Sequence, residues 1–161
     1  SFLIMSAYPK ARSRASAFTL VEIMVVVVII GLLLAISLPA FSKVRINAYA
    51  SRIANNFRVF SAAFETHALE SGNWAPDGIG NALPEEVASY LEGTTWDQEH
   101  IPGGYYDWEY DREGFTASIS LAYDRDFPEV FTKVDQIVDD GNLSSGRFVK
   151  ISERYFFVLE K

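Results

Sequence analysis

The chain has 161 residues, with 14 basic and 21 acidic side chains and no cysteine. This length allows one modest domain and one additional element, and the lack of cysteine excludes disulfide bonds and thiolate metal sites. Residues 72–161 carry seven basic and eighteen acidic side chains, a net charge of −11. Such a charge disfavours direct binding to nucleic-acid phosphates.

A basic segment and a long apolar segment open the chain. Residues 1–17 contain three basic side chains and no acid, and residues 23–36 are fourteen consecutive residues without a polar side chain. The apolar segment from 18 to 41 suits a membrane span, which needs about 20 apolar residues. A secretory signal peptide has its small-residue cleavage site after the apolar region, whereas the Ala-Ser-Ala at 15–17 precedes it. The order of the segments therefore favours a span that is retained.

One acid, Glu22, lies inside the apolar segment. A carboxylate at this place in a membrane needs to be neutralised or paired. The alternative is that Glu22 extends to the membrane surface, which is physically allowed near a helix end.

The helical pattern continues beyond the span. Apolar residues recur every three or four positions, as expected for one face of a helix: Tyr49, Ile53, Phe57, Phe60, Phe64 and Ala68. Asn56 is assigned to the polar face. Pro39 is expected to kink or loosen the helix, and Gly72 is expected to end it. We predict one long helix over residues 18–71, apolar all round in its first half and on one side in its second.

The rest of the chain predicts a small antiparallel sheet. In chain order, the patterns indicate a short helix from Pro84 to Gly93, strands at 105–111 and 115–123, a helix at 129–140 and a hairpin of strands at 147–151 and 154–160. The predicted fold class is α+β, with the aromatic face of residues 49–64 covering one side of about four strands. The predicted segments are a leader (1–17), a transmembrane and assembly helix (18–41), an amphipathic helix (42–71) and an acidic head (72–161).

Acidic residues alternate with aromatic residues in the first predicted strand. Asp107, Glu109 and Asp111, together with Asp124 and Asp126, are weak candidates for a calcium site, because calcium takes several carboxylate oxygens. No EF-hand spacing is present. The alternative is a solvated strand face, which the general tendency of charges to remain exposed favours.

Residues 17–41, "AFTLVEIMVVVVIIGLLLAISLPAF", resemble the start of a type IV prepilin or of a pseudopilin of a type II secretion system. That family has a short basic leader, a Phe-Thr-Leu-x-Glu start, a glycine near the middle of the helix and a proline near its end. The matching positions here are Phe18, Thr19, Leu20, Glu22, Gly31 and Pro39.

The resemblance implies processing and assembly roles for particular residues. A prepilin peptidase would cut between Ala17 and Phe18 and methylate the new amine of Phe18. Alanine stands at position 17 where the family has glycine. Phe18, Glu22, Gly31 and Pro39 would be assembly residues, with Glu22 of one subunit beside the Phe18 amine of the next.

The resemblance also implies partners and a location. The chain would insert once into the bacterial inner membrane, with the head outside the cytoplasm. It would contact membrane lipid, then an inner-membrane assembly platform, and then identical or related pilin subunits in a helical filament, either a periplasmic pseudopilus or a surface pilus. No enzyme activity and no cofactor are expected, with calcium left open because some pseudopilin heads bind it. The alternatives are a minor pilin that binds a target through its head and a membrane-anchored hydrolase, which no motif supports.

Overall fold

The computed structural model describes residues 18–78, 80, 82–96, 104–123 and 127–161. The expected leader lies outside these residues. The chain divides into two compact units, one ending at Ala40 and one from Phe41 to Lys161. The elements are α1 (Leu20–Ser71), α2 (Glu85–Ala88), β1 (Gly104–Arg112), β2 (Phe115–Tyr123), α3 (Pro128–Val138), β3 (Phe148–Ile151) and β4 (Arg154–Glu160).

Helix α1 has 52 residues and continues through Pro39. Just before the proline, the Ser37 hydroxyl donates a hydrogen bond of 2.7 Å to the carbonyl of Leu33. The helix contains an 18-residue segment apolar enough to cross a membrane, and none of that segment is buried inside the chain. Judged by the residues that the structure describes, the apolar segment therefore lacks the burial of a core helix.

The second half of α1 covers one face of a four-stranded antiparallel sheet with strand order β1-β2-β4-β3. Phe64 stacks on Trp108 with ring centroids 3.8 Å apart, and Phe60 lies edge-on to Tyr106 at 4.9 Å. Phe57, also on this face of α1, is fully buried. These contacts confirm the α+β fold and the predicted aromatic cover.

The boundaries of two helices differ from the predicted ones. Helix α2 ends at Ala88, and turns rather than helix lead to Gly93, whose φ of +75° suits glycine. Helix α3 ends at Val138, two residues early, because Asp139 has φ −151° and ψ −130°, outside the helical region.

Two predictions about solvated polar groups are wrong. Asp107 and Glu109 are only 5% and 3% exposed, because Arg154 of β4 extends over the outer face of the sheet and binds both. Asn56 is also buried, since its amide donates to the Tyr106 hydroxyl at 3.2 Å and its carbonyl accepts from Thr95 at 3.3 Å. In both cases a polar partner distant in sequence compensates the burial.

Candidate assembly site and acidic clusters

Helix α1 begins with a reciprocal capping arrangement between Thr19 and Glu22. The backbone N–H and the hydroxyl of Thr19 each donate to Glu22 Oε2 at 2.8 Å, and the Glu22 N–H donates to the Thr19 hydroxyl at 3.3 Å. A threonine at the cap and a glutamate three residues later satisfy backbone donors that a helix start leaves free. The acid that interrupts the apolar segment therefore also fixes where the helix starts.

This arrangement leaves part of the Glu22 carboxylate available. Both bonds from Thr19 go to Oε2, and none of the described residues donates to Oε1. Phe18, the residue before the cap, is strongly exposed. A cation that approached the helix start would find an oriented carboxylate with one free oxygen.

Gly31 and Pro39 both lie on exposed parts of α1. A Cβ added to Gly31 would meet no atom of a described residue within 4 Å. Packing among the described residues therefore does not require glycine at position 31. Ala17, on the other side of the expected cleavage site, lies outside the described residues.

Asp107 and Glu109 form one network with two arginines. Arg154 Nη1 lies 2.6 Å from Glu109 Oε1 and 3.2 Å from Asp107 Oδ2, and Arg112 Nη1 lies 3.4 Å from Glu109 Oε2. Ser120 also donates to Glu109 at 2.9 Å. Burial, and then the charge of Glu109, raise the pKa of the Asp107 carboxyl to about 6, although Arg154 opposes this rise.

The arginines already supply the positive charge that a cation would bring to Asp107 and Glu109. Asp111 does not join them, because it lies exposed at the end of β1 with φ of +51°. Asp124 and Asp126 lie outside the described residues. The structure thus joins two of the five calcium candidates and gives those two a structural ion-pair role.

A different set of acids converges at the end of α3. Carboxylate oxygens of Asp135, Asp139 and Asp140 lie within 4.8 Å of one another, and no other group of three potential ligands does so among the described residues. The sequence analysis missed this cluster. The available signal was the position of Asp135, four residues after Phe131 and three before Val138, which places an acid on the apolar face of an amphipathic helix.

A comparison with protein-family models finds a match near the start of the chain. Residues 12–38 match the family model described as the prokaryotic N-terminal methylation motif. No curated protein and no solved structure is significantly similar to the chain. The matched range spans the junction of Ala17 and Phe18, the Thr19–Glu22 cap and most of the apolar segment. The motif indicates a pilin-type class of proteins, which is generally non-enzymatic, and with the long N-terminal helix and the small antiparallel sheet it supports assigning the chain to the type IV prepilin-like, or pseudopilin, family.

Proposed function

We propose that this protein is a structural subunit that a prepilin peptidase cuts between Ala17 and Phe18 and methylates on the Phe18 amine, and that then assembles through α1 into a pseudopilus or type IV pilus. The observation that carries the proposal is the methylation motif at residues 12–38. Its apolar part forms a helix that the rest of the chain leaves exposed.

The exposed segment of α1 needs an apolar environment. Large side chains between Leu20 and Phe41 are exposed around the whole helix, and such a surface is unfavourable in water. Lipid would surround it when the subunit is inserted in the inner membrane, and helices of neighbouring subunits would surround it in the filament. Gly31, which contacts no side chain among the described residues, would allow a neighbouring helix to approach closely.

Glu22 would determine how the α1 helices of adjacent subunits are staggered in the filament. Cleavage would create a positively charged amine at Phe18, and the free Oε1 of Glu22 is an acceptor for the amine of a neighbouring subunit. In a low-dielectric helix bundle, loss of one partner of such a pair costs about 3–5 kcal/mol, because the other charge stays buried. The pair would therefore favour one stagger between adjacent helices.

Mass spectrometry of the protein produced with and without a prepilin peptidase tests the processing. We expect a mature chain that begins with methylated Phe18 only when the peptidase is present. The variant Ala17→Gly should be cut at least as well, and Ala17→Leu more slowly, because the larger side chain stands next to the cut bond. An uncut chain in the presence of an active peptidase, for both the parent and Ala17→Gly, would refute the processing step.

Filament recovery from cells that contain the assembly machinery tests the pairing. Glu22→Gln removes the charge but keeps an oxygen that can cap the helix, so we expect normal membrane insertion and few or no filaments. Glu65→Gln removes an exposed charge elsewhere on α1 and should assemble normally. Normal filaments from Glu22→Gln would show that the charge does not set the register.

A further inference from the structure

The loop at residues 139–147, which joins α3 to β3, contains the motif "DGNLS" at residues 140–144. An asparagine followed two positions later by serine or threonine, with any residue except proline between them, is the acceptor motif for N-glycosylation. Of the asparagines in the chain, only Asn142 meets this condition. Bacterial enzymes that attach such glycans also favour an acid two positions before the asparagine, and Asp140 stands there.

The residues that such an enzyme recognises are accessible. Asp140, Asn142 and Ser144 are all exposed, whereas Leu143 between them is partly buried against the hydrophobic core. The Leu143 carbonyl also accepts a hydrogen bond of 2.8 Å from the Lys150 N–H of β3. The loop is therefore attached to the sheet at Leu143, and the recognised side chains on either side of it remain in solvent.

The side chain of Asn142 is oriented by contacts within the loop. Its Oδ1 accepts a hydrogen bond of 3.2 Å from the Ser144 N–H, and its backbone N–H donates to Asp140 Oδ1 at 2.8 Å. Such bonds are typical of asparagine and aspartate in turns. None of the described residues accepts a hydrogen bond from Asn142 Nδ2, so the nitrogen that a glycan would occupy is not needed by the fold.

Turn formation does not explain the hydroxyl group at position 144. The neighbouring Ser145 uses its hydroxyl to bind Asp140 Oδ2 at 3.0 Å, whereas the Ser144 hydroxyl forms no hydrogen bond with a described residue. Ser144 contributes only its backbone N–H, which any residue except proline could supply. The hydroxyl that the glycosylation motif requires is therefore one that the fold leaves unused.

Two glycines allow the loop to present the motif from a fixed base. Gly141 and Gly146 both have φ of +84°, in the region that favours glycine. A Cβ built on Gly146 would overlap Asp139 Oδ2, and that oxygen accepts hydrogen bonds from the backbone N–H groups of Arg147 and Phe148. The two ends of the loop are thus held together beside the exposed motif.

We propose that Asn142 is an N-glycosylation site for a bacterial oligosaccharyltransferase whose donor is an oligosaccharide linked to a polyprenyl diphosphate. In the reaction, Asn142 Nδ2 forms a bond to the anomeric carbon of the first sugar and loses one proton to a base of the enzyme. The bond between that carbon and the diphosphate oxygen breaks, and the polyprenyl diphosphate leaves with the bonding electron pair. The exchange requires no oxidant or reductant.

The acid at position 140 has a role in this recognition. Each carboxylate oxygen of Asp140 accepts one hydrogen bond from the loop, and a carboxylate oxygen can accept more than one. Asp140 is therefore held in place and can still pair with a basic side chain of the enzyme.

Use of the site in the cell rests on the proposed function. The donor and the enzyme act on the outer side of the inner membrane, where the head of the proposed subunit would lie. The chemical competence of Asn142 does not depend on that location, and purified components can test it separately.

A reaction of the full chain in neutral detergent micelles tests the site. The chain is incubated with a bacterial oligosaccharyltransferase and a polyprenyl-diphosphate-linked oligosaccharide, and a peptide that contains residues 140–144 serves as the positive control for the enzyme. We expect the intact mass to rise by one glycan per chain, and fragmentation mass spectrometry should locate the glycan on Asn142. An enzyme that modifies the peptide and leaves the folded chain unmodified would overturn the proposal.

Two asparagine variants separate the motif from general reactivity of exposed amides. Asn142→Gln should abolish the modification. Asn73→Gln changes an exposed asparagine outside any acceptor motif and should be modified like the parent. A glycan that persists on Asn142→Gln would place the acceptor elsewhere and refute the assignment.

Variants at positions 144 and 140 test recognition by the enzyme. Ser144→Ala should slow the modification at least about tenfold, because the enzyme loses a hydroxyl that it binds, whereas Ser144→Thr keeps the hydroxyl and should be modified like the parent. Since the Ser144 hydroxyl has no partner among the described residues, both variants should melt at the temperature of the parent. Asp140→Asn should also be modified more slowly. Equal rates for the parent and Ser144→Ala would contradict the proposal.

Cells that contain the enzyme and its donor complete the test. With the head outside the cytoplasm, we expect the peptide around Asn142 to carry the glycan. Modification in micelles but not in cells would count against the proposed location of the head, whereas failure in micelles would count against the site itself.

Discussion

The ion-pair network on the outer face of the sheet makes a quantitative prediction for Arg154→Met. Arg154 contacts two carboxylates that are almost fully buried, at 2.6 and 3.2 Å. Removal of one partner of a buried ion pair typically costs about 3–5 kcal/mol. The Arg154 side chain is itself 34% exposed, and Arg112 still neutralises Glu109 in part. We therefore expect the free energy of unfolding to fall by about 2–4 kcal/mol at pH 7.5.

The loss of unfolding free energy in Arg154→Met should depend on pH, and its direction follows from the pKa of Asp107. The pKa of Asp107 is raised to about 6 in the folded chain from its ordinary 3.8. The protonated Asp107 therefore stabilises the folded state fully below about pH 4, and this stabilisation is lost as the pH rises through 6. Without Arg154 the pKa of Asp107 rises further. The difference between Arg154→Met and the parent should therefore be smallest near pH 5 and largest above pH 7.

Urea unfolding of the full chain in neutral micelles, followed by tryptophan fluorescence, measures this difference. All three tryptophans lie at positions 74–108, so the signal reports on the head and not on the membrane segment. Arg112→Met is the control: its side chain is 59% exposed, and its loss should be below about 1 kcal/mol. Equal losses for the two variants, or an Arg154→Met effect that does not vary with pH, would refute the buried-network reasoning.

Three further substitutions test the core, the loop and the helix start. Phe57→Ala should lower the free energy of unfolding by about 3–5 kcal/mol by opening a cavity; the exposed Val59→Ala is its control, and a similar loss there would contradict the core assignment. Gly146→Ala should destabilise the head more than Gly114→Ala, since both residues have positive φ but only the former would overlap a carboxylate; equal losses would mean that the loop relaxes freely. Thr19→Val should weaken the first turn of α1 by about 0.5–2 kcal/mol, seen as faster amide hydrogen exchange there, while Thr19→Ser should not; no change in exchange would contradict the capping role.

The predictable part of this fold is the part encoded in local periodicity. The spacing of Phe57, Phe60 and Phe64 identified the buried face of α1, and strict alternation identified β1 together with the residues that face the helix. Both patterns depend only on the helical and strand repeats, which neighbours in sequence reveal. The fold class could therefore be predicted without knowledge of any long-range contact.

The burial of polar residues could not be predicted from the sequence in the same way. Alternation placed Asp107 and Glu109 on the face opposite the aromatic residues, but their exposure depends on Arg154, which lies more than 40 residues later and reaches them from β4 across β2. A long arginine covers apolar and charged surface while its head stays partly in water. Asp135 is the converse case. Its position on the apolar face of α3 follows from the sequence, whereas the burial of its carboxylate, without a hydrogen bond within the standard distance from any described residue, is a property of the folded chain.

Glu22 shows how one residue can have two roles that a single substitution does not separate. Its carboxylate caps α1 through Oε2, and the proposed pairing between subunits uses the other oxygen. Glu22→Ala would remove both interactions, so a loss of filaments would not identify the cause. Two variants separate the capping role of Glu22 from its pairing role. Glu22→Gln removes the charge and keeps a capping oxygen, whereas Thr19→Val removes the cap hydroxyl and keeps the charge. If the charge sets the register, Glu22→Gln should abolish assembly and Thr19→Val should only reduce it. The reverse order would assign the acid to the helix start alone.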